Sequence, residues 1–123
     1  MIQTSGLTKR YGKFTAVDGV SLNIPAGQIY GFLGPNGAGK TSTIMMLLGI
    51  LKPTAGSIRL FGEEYRPGRL DLRKRIGMVP EKQPLGMWSW MTAEEYLSMF
   101  AELFQVPSPR ERIGSLLEKV GLT

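Results

Sequence analysis

The stretch that decides the fold is residues 28–51, which read QIYGFLGPNGAGKTSTIMMLLGIL. Residues 28–33 are short, largely apolar and β-compatible, as expected of a strand buried within a sheet. Residues 42–51 have the apolar spacing of a buried helix. The loop from Gly34 to Thr41 fits G-x-x-x-x-G-K-[ST], the phosphate-binding P-loop, and it lies in the strand-to-helix context that the motif requires.

The spacing of this loop follows from the chemistry of polyphosphate binding. Glycines at 34, 37 and 39 permit backbone angles closed to other residues and leave no Cβ in front of a phosphate. A helix beginning near position 39 adds unpaired N–H groups and a positive dipole end worth about 0.3–2 kcal/mol. The Lys40 charge contributes a Coulomb term of about 4 kcal/mol at an effective dielectric near 20. The predicted phosphate-binding residues are Gly34, Pro35, Asn36, Gly37, Ala38, Gly39 and Lys40.

Two hydroxyl residues follow the lysine. Thr41 is expected to ligate Mg²⁺, which would also take phosphate oxygens and water. Ser42 offers a second hydroxyl toward the inner phosphate. The alternative is a glycine-rich turn that merely caps a helix, and the strand and helix on the correct sides of the loop disfavour it.

The amino-acid composition excludes several kinds of covalent, metal-binding and catalytic chemistry for this chain. The 123 residues include no cysteine and no histidine, so disulfides, thiolate metal sites and histidine acid–base catalysis are excluded. The net charge of +5 would suit nucleic acid, but we expect most of these charges to be solvated surface and predict no nucleic-acid partner. No apolar run approaches the roughly 20 residues of a membrane span, and no secretory signal pattern is visible.

The remaining elements follow from apolar alternation, turn residues and helix caps. The predictions, in chain order, are an edge strand at 2–10, a turn at 11–13, an antiparallel strand at 16–24, a strand at 57–62, a polar loop at 63–71, a short helix at 70–75, a brief strand at 76–79, a helix to about 104 and a helix at 109–120. Thr92 and Glu95 are spaced as a capping box for the first of the two long helices.

This order of elements, with its P-loop, resembles the nucleotide-binding domain of ATP-binding cassette (ABC) transporters along the whole chain. The runs LTKRYG at 7–12 and AVDGVSL at 16–22 look like the family's amino-terminal β-subdomain. The resemblance implies an α/β fold, a RecA-like P-loop NTPase partial core with an amino-terminal antiparallel β-subdomain and the start of a helical subdomain. The implied domains are 1–27 with 57–62 for the β-subdomain, 28–51 with 63–82 for the P-loop core, and 83–123 for the helical subdomain.

The resemblance assigns further site residues. Tyr11, 29 positions before Lys40, falls where the family stacks an aromatic ring on adenine, and such stacking is worth about 1–3 kcal/mol. Val17 matches an apolar position beside the base. The alternatives are an ordinary half-buried tyrosine at a strand end and a valine of the core.

The Q-loop position is occupied by Glu81 instead of the family's glutamine. A carboxylate can ligate Mg²⁺ and orient water, so Glu81 is the candidate catalytic and metal-binding residue. Gln83, shifted by two, is the alternative, and a third is that neither residue is functional.

The resemblance also implies partners. ATP and Mg²⁺ would be bound, with a transmembrane permease and a second nucleotide-binding domain as partners, at the cytoplasmic face of a membrane. The run 87–91, which holds both tryptophans, would face the permease or form the small core of the helical subdomain.

Several family parts are missing from the sequence. The signature loop and the downstream histidine are absent, and neither of the two aspartates, Asp18 and Asp71, ends an apolar strand before a glutamate. We therefore expect the chain to be the amino-terminal half of a larger domain that binds nucleotide without turnover. The alternatives are a non-catalytic binding or assembly module and another P-loop enzyme such as a small kinase, against which the antiparallel start argues.

We predict that the chain alone is marginally stable or self-associating. In the resembled architecture the neighbours of strand 28–33 come from the carboxyl half, which leaves open edges and an undersized core. Thermal unfolding at several protein concentrations measures this. A sharp, concentration-independent melt of a monomer would contradict the prediction.

Overall fold

The computed structural model describes residues 1–82 and 88–123. The chain forms two compact units, residues 1–77 and residues 78–123, and each is described by itself. Gln83 and Met87 lie outside the described residues, so the alternative Q-loop assignment and one end of the 87–91 run are not tested.

The first unit is built on an antiparallel sheet of four strands in the order β2-β1-β3-β4. The strands are β1 (Ile2–Tyr11), β2 (Phe14–Ile24), β3 (Ala55–Leu60) and β4 (Glu63–Tyr65). The pair β1–β2 is a hairpin in which Tyr11 faces Phe14 across a two-residue turn, and Gly12 in that turn has a φ of 58°. The predicted turn at 11–13 and the antiparallel strand after it are therefore present.

Two predictions about this sheet are wrong. The strand predicted at an edge, residues 2–10, is internal because Ile2 pairs with Ile24 on one side and with Leu60 on the other. The polar loop predicted at 63–71 contains β4, since a turn at Gly62 (φ 83°) returns the chain onto β3. Charged residues can form this strand because it lies at the sheet's edge, where one face is solvated.

The strands predicted at 28–33 and 76–79 do not form. Ile29 is fully exposed, and Leu33 and Val79 are each 93% exposed. A strand requires ladder hydrogen bonds to a neighbour, and the described sheet contains only the four strands above. The apolar sequence of these segments indicates burial, but the part of the chain that the structure describes supplies no strand to pair with them.

The core of the first unit lies between the sheet and two helices, α1 (Lys40–Leu47) and α2 (Leu70–Arg73). Its buried members are Leu7, Val17, Met46, Ile58, Leu60, Tyr65 and Leu72. The first helix ends earlier than predicted because Gly49 takes a φ of 70°. A Cβ at Gly49 would overlap the Tyr65 hydroxyl. The end of α1 therefore requires glycine both for its left-handed φ and for its contact with the core residue Tyr65.

The second unit consists of α3 (Ala93–Leu103) and α4 (Pro109–Lys119). An aromatic series runs along α3, with ring centroids 6.4 Å apart for Trp88–Tyr96 and 4.8 Å apart for Tyr96–Phe100. Trp88 therefore packs within the helical unit, as the core interpretation of residues 87–91 predicts, whereas Trp90 is 74% exposed. Among the described residues, no helix has the length and apolar character needed to cross a membrane.

The predicted capping box is confirmed at the start of α3. The backbone N–H of Glu95 donates to Thr92 Oγ1 (3.2 Å), and Thr92 N–H donates to Glu95 Oε2 (2.8 Å). The Thr92 N–H, together with the Thr92 hydroxyl that donates to the same carboxylate oxygen at 3.0 Å, favours the ionised carboxylate and lowers the pKa of Glu95. Because the folded pKa is depressed, the associated stability is present above the unfolded pKa and is lost as pH falls through the folded pKa.

Replacement Thr92→Ala is expected to lower the free energy of unfolding of the helical unit by about 1 kcal/mol, because it removes the acceptor for the Glu95 N–H. The loss should be largest at neutral pH and smaller as the Glu95 carboxylate protonates. Circular dichroism melts at several pH values test this, with Ser89→Ala, an exposed residue before the helix, as control. Equal stability of Thr92→Ala and the parent at neutral pH would contradict it.

Candidate nucleotide-binding site

The P-loop joins the exposed 28–33 segment to α1, and its glycines do not all have the same role. Gly37 and Gly39 have φ values of 83° and 86°, in the left-handed region that favours glycine. The φ of Gly34 is not positive, and a Cβ there would only contact Ala38 and Lys40 at ordinary van der Waals distances. Special backbone angles are therefore confirmed for two of the three glycines.

Gly39 fixes the loop against the sheet. A Cβ at this position would overlap the carbonyl oxygen of Ala16 and lie 3.2 Å from Val17 Cγ2. The loop therefore lies directly on β2, at a contact that only glycine allows. Val17 is 4% exposed and belongs to the core, so its core interpretation is correct, and it also lies beside the phosphate-binding loop.

Lys40 is folded back across its own loop. Its ammonium donates to the carbonyl oxygens of Gly34 and Pro35, the latter at 3.2 Å. The backbone N–H of Ala38 donates to the same Pro35 carbonyl at 3.2 Å. The positive charge is thus already concentrated at the loop, and residues 34–38 are exposed around it.

The start of α1 presents backbone donors. Gly39 is the N-cap, no side chain caps it, and no acidic residue lies in the first turn. The Gly39 carbonyl accepts both the N–H and the hydroxyl of Thr43, each at 2.9 Å, which anchors the turn from inside. Thr41 is exposed and Ser42 is half-buried. Uncapped N–H groups, a lysine ammonium and hydroxyls fit a polyphosphate with its hydrated metal ion.

Tyr11 lies at the end of β1, on the hairpin whose second strand contacts the loop. Its side chain is 50% exposed, and Lys9 Nζ lies 5.1 Å from its ring centroid. Lys9 pairs with Val17 across the ladder, and Val17 adjoins Gly39. A continuous series of contacts therefore joins the candidate base-stacking ring to the P-loop.

The carboxylates of the described residues give little evidence for the metal-binding part of the site. Glu81 is exposed and belongs to the 78–123 unit. Asp71 is bound by the Arg69 guanidinium, which lowers the pKa of Asp71 to about 2. Across residues 1–82 and 88–123, no group of three His, Cys, Asp or Glu side chains could hold a metal ion.

Sequence reasoning overlooked three residues of this site. The Ala16 carbonyl, the Thr43 hydroxyl and the Lys9 ammonium each contact a predicted site residue. Lys9 was detectable, because residues i and i+2 of a strand share a face. The other two contacts depend on tertiary packing and a helical i–4 hydrogen bond, for which no motif exists.

Sheet, loop and helix together define a P-loop nucleotide-binding fold, and solved structures agree. The chain superimposes on cbiO1 of Clostridium perfringens, described as part of the ABC transporter complex cbiONQ, with a TM-score of 0.83 and 27% identity, over 98% of this chain and 50% of that one. A structure described as the ATP binding subunit of an ABC transporter matches with the same TM-score at 24% identity, which supports the fold alone.

The family follows from the sequence comparisons. The ABC transporter family model matches residues 17–123. The bacitracin transport ATP-binding protein BcrA of Bacillus licheniformis is 43% identical over 99% of this chain and 39% of its own length. The Nod factor export ATP-binding protein I of Ralstonia nicotianae is 42% identical over 96% of this chain and 37% of its own length. The chain belongs to the ABC transporter family, and it spans about two fifths of the length of these relatives.

Replacement Gly39→Ala is expected to destabilise the first unit by about 1–3 kcal/mol, because it forces an alanine into the left-handed region and against the Ala16 carbonyl. Gly31→Ala is the matched control, since Gly31 lacks a positive φ and a Cβ added there would meet no atom within 4 Å. Thermal unfolding measures both variants. Equal stability of the two variants would contradict the close contact between loop and sheet.

Proposed function

We propose that this chain binds MgATP through its P-loop and forms part of an ATP-binding subunit that powers transport through a membrane permease. The observation that supports it most directly is the loop at 34–42. There a left-handed glycine, a lysine ammonium and the uncapped start of α1 converge on one exposed surface. That surface matches a triphosphate in charge and in donor density.

Each predicted site residue has a part in this proposal. Backbone N–H groups of 34–40 and the Lys40 ammonium bind the β- and γ-phosphates, and the Ser42 hydroxyl binds the inner phosphate. The Thr41 hydroxyl holds Mg²⁺, which neutralises phosphate charge when bound. Tyr11 stacks on the base. Glu81 takes the Q-loop role at the metal or the attacking water.

The wider setting of the chain is also part of the proposal. Relatives whose names describe transport or export ATP-binding proteins support a permease partner and a place at the cytoplasmic face of the membrane. A second nucleotide-binding domain would complete the ATP site. Within this chain, we propose the β-subdomain as residues 1–27 and 57–62, the P-loop core as 28–51 and 63–82, and the helical subdomain as beginning at 83.

Nucleotide binding without hydrolysis is the second candidate for the chain as it stands. The observation that favours it is the lack of any carboxylate cluster among the described residues that could hold a metal ion. P-loop NTPases hold Mg²⁺ with an additional aspartate and orient water with a further residue. The chain would then supply the binding half of the site.

Replacement Lys40→Ala is expected to remove magnesium-dependent ATP binding, because the ammonium is the main charge facing the phosphates. Calorimetric titration of ATP into the chain and into the variant measures this. Lys119→Ala, which removes the same charge from the last turn of α4, should bind ATP like the parent.

The same proteins distinguish binding from catalysis. We expect no release of phosphate from γ-labelled ATP above background for the chain or the Lys40→Ala variant. Sustained turnover that depends on Lys40 would contradict binding without hydrolysis. Absence of magnesium-dependent binding of any nucleoside triphosphate by soluble, folded chain would contradict the proposed function itself.

Replacement Tyr11→Ala is expected to weaken ATP binding by about 1–3 kcal/mol through loss of base stacking and to leave the affinity for inorganic triphosphate unchanged. Phe14→Ala is the control, because Phe14 is an exposed ring opposite Tyr11 in the hairpin, 63% exposed. Calorimetry with both ligands measures the effect. A larger loss from Phe14→Ala than from Tyr11→Ala would show that Phe14, and not Tyr11, stacks on the base.

A further inference from the structure

We propose that Lys9 is a positioning residue for the nucleotide base, acting through the Tyr11 ring. The inference rests on the proposed function, because it adds a second residue to the base-binding part of that site. Lys9 is half-buried, unlike Arg10 and Lys13 nearby, which are exposed. The family resemblance assigns no role to this position, and the contacts of this chain alone indicate one.

The Lys9 ammonium has two partners. It lies 5.1 Å from the Tyr11 ring centroid, within the roughly 6 Å range of a cation–π interaction. It also donates to the carbonyl oxygen of Lys52 at 2.8 Å. A lysine ammonium that donates to a carbonyl oxygen moves less than a lysine ammonium without a hydrogen-bond partner. The ring is thereby restrained from one side by a fixed charge.

The segment that supplies this carbonyl, residues 52–54, is itself anchored to β1. Thr54 N–H donates to the carbonyl of Thr8 at 2.9 Å, and Arg10 N–H donates to Thr54 Oγ1 at 3.0 Å. Residues 52–54 connect the end of the P-loop helix region to β3. Three hydrogen bonds therefore tie the strand end that carries Tyr11 to the chain that leaves the phosphate-binding region.

The chemistry of the ring explains why the charge matters. An aromatic face carries negative quadrupole density, which opposes face-to-face stacking with another π system. A cation near the ring draws that density toward itself and lowers the repulsion toward a stacked base. Since Tyr11 keeps half of its surface exposed, a base can reach the ring. Lys9 thus favours stacking without touching the nucleotide.

The test compares ATP with inorganic triphosphate, which lacks a base, by calorimetry on the full chain. Lys9→Met keeps the aliphatic stem and removes the charge, and it should weaken ATP binding about two- to fivefold while triphosphate binding is unchanged. Lys9→Arg should restore the parent's ratio of the two affinities, because a guanidinium also stacks on a ring and donates to a carbonyl.

Thr54→Val separates positioning from simple anchoring. It removes the hydrogen bond from Arg10 N–H and leaves the contact between Lys9 and Tyr11 in place. We expect a lower melting temperature with an unchanged ATP-to-triphosphate ratio. The same loss of ratio in Thr54→Val as in Lys9→Met would overturn the inference, as would an unchanged ratio in Lys9→Met or an equal weakening of both ligands.

The titrations would give a different result if the proposed function, and not only the role of Lys9, were wrong. If the parent chain bound neither ATP nor triphosphate, the proposed function would be overturned together with this inference. If the parent bound both and Lys9→Met kept the parent's ratio, only the role of Lys9 would be overturned.

Discussion

The contact between Gly39 and the Ala16 carbonyl is the constraint on which the rest of the site depends. It brings a loop that is exposed on its outer side onto the backbone of β2, where any side chain would collide. The left-handed φ of Gly39 then directs the chain into α1. The position of the P-loop relative to the hairpin is therefore set by backbone sterics. Such a contact is either present in full or lost, because packed interiors deform little.

Electrostatic interactions act on the loop that this contact positions. The loop collects an ammonium and uncapped N–H groups on one surface, and carbonyl oxygens of the same loop hold the ammonium in place. The carbonyls offset part of the repulsion between the lysine and the helix dipole. A phosphate that replaces them as the partner of Lys40 offers a full negative charge, so the exchange favours the anion. The ammonium and carbonyl groups that shape the loop are thus the same groups that would favour the proposed binding of phosphate.

The sequence was sufficient wherever a local rule decides the structure. The P-loop, the hairpin turn at Gly12 and the capping box of Thr92 and Glu95 depend on residues within a few positions of one another, and all were predicted. Family membership and fold class were predicted correctly as well.

The predictions failed where pairing between distant segments decides. The mixture of β-forming and polar residues at 2–10 cannot tell an internal strand from an edge strand, and only the two-sided pairing of Ile2 reveals the difference. The apolar runs at 28–33 and 76–79 meet the requirements of strands but have no partner in the described sheet. The candidate site shows the same difference between local and distant effects. The P-loop residues could be predicted from their motif, whereas the contacts of the loop with Ala16 and Thr43 could not.

The central place of β1 has a consequence for how the molecule fluctuates. A strand with neighbours on both sides opens only when two ladders break, so its amide protons exchange with solvent more slowly than those of a strand with one neighbour. Residues 2–8 of β1 lie in the stretch with both neighbours, whereas Tyr11 at its end pairs only with Phe14, and the exposed 34–38 segment lies outside any ladder. Both proposed ligand contacts, the Tyr11 ring and the 34–38 peptide, therefore lie outside the two-sided ladder, where the backbone opens and adjusts more readily than in the interior of the sheet.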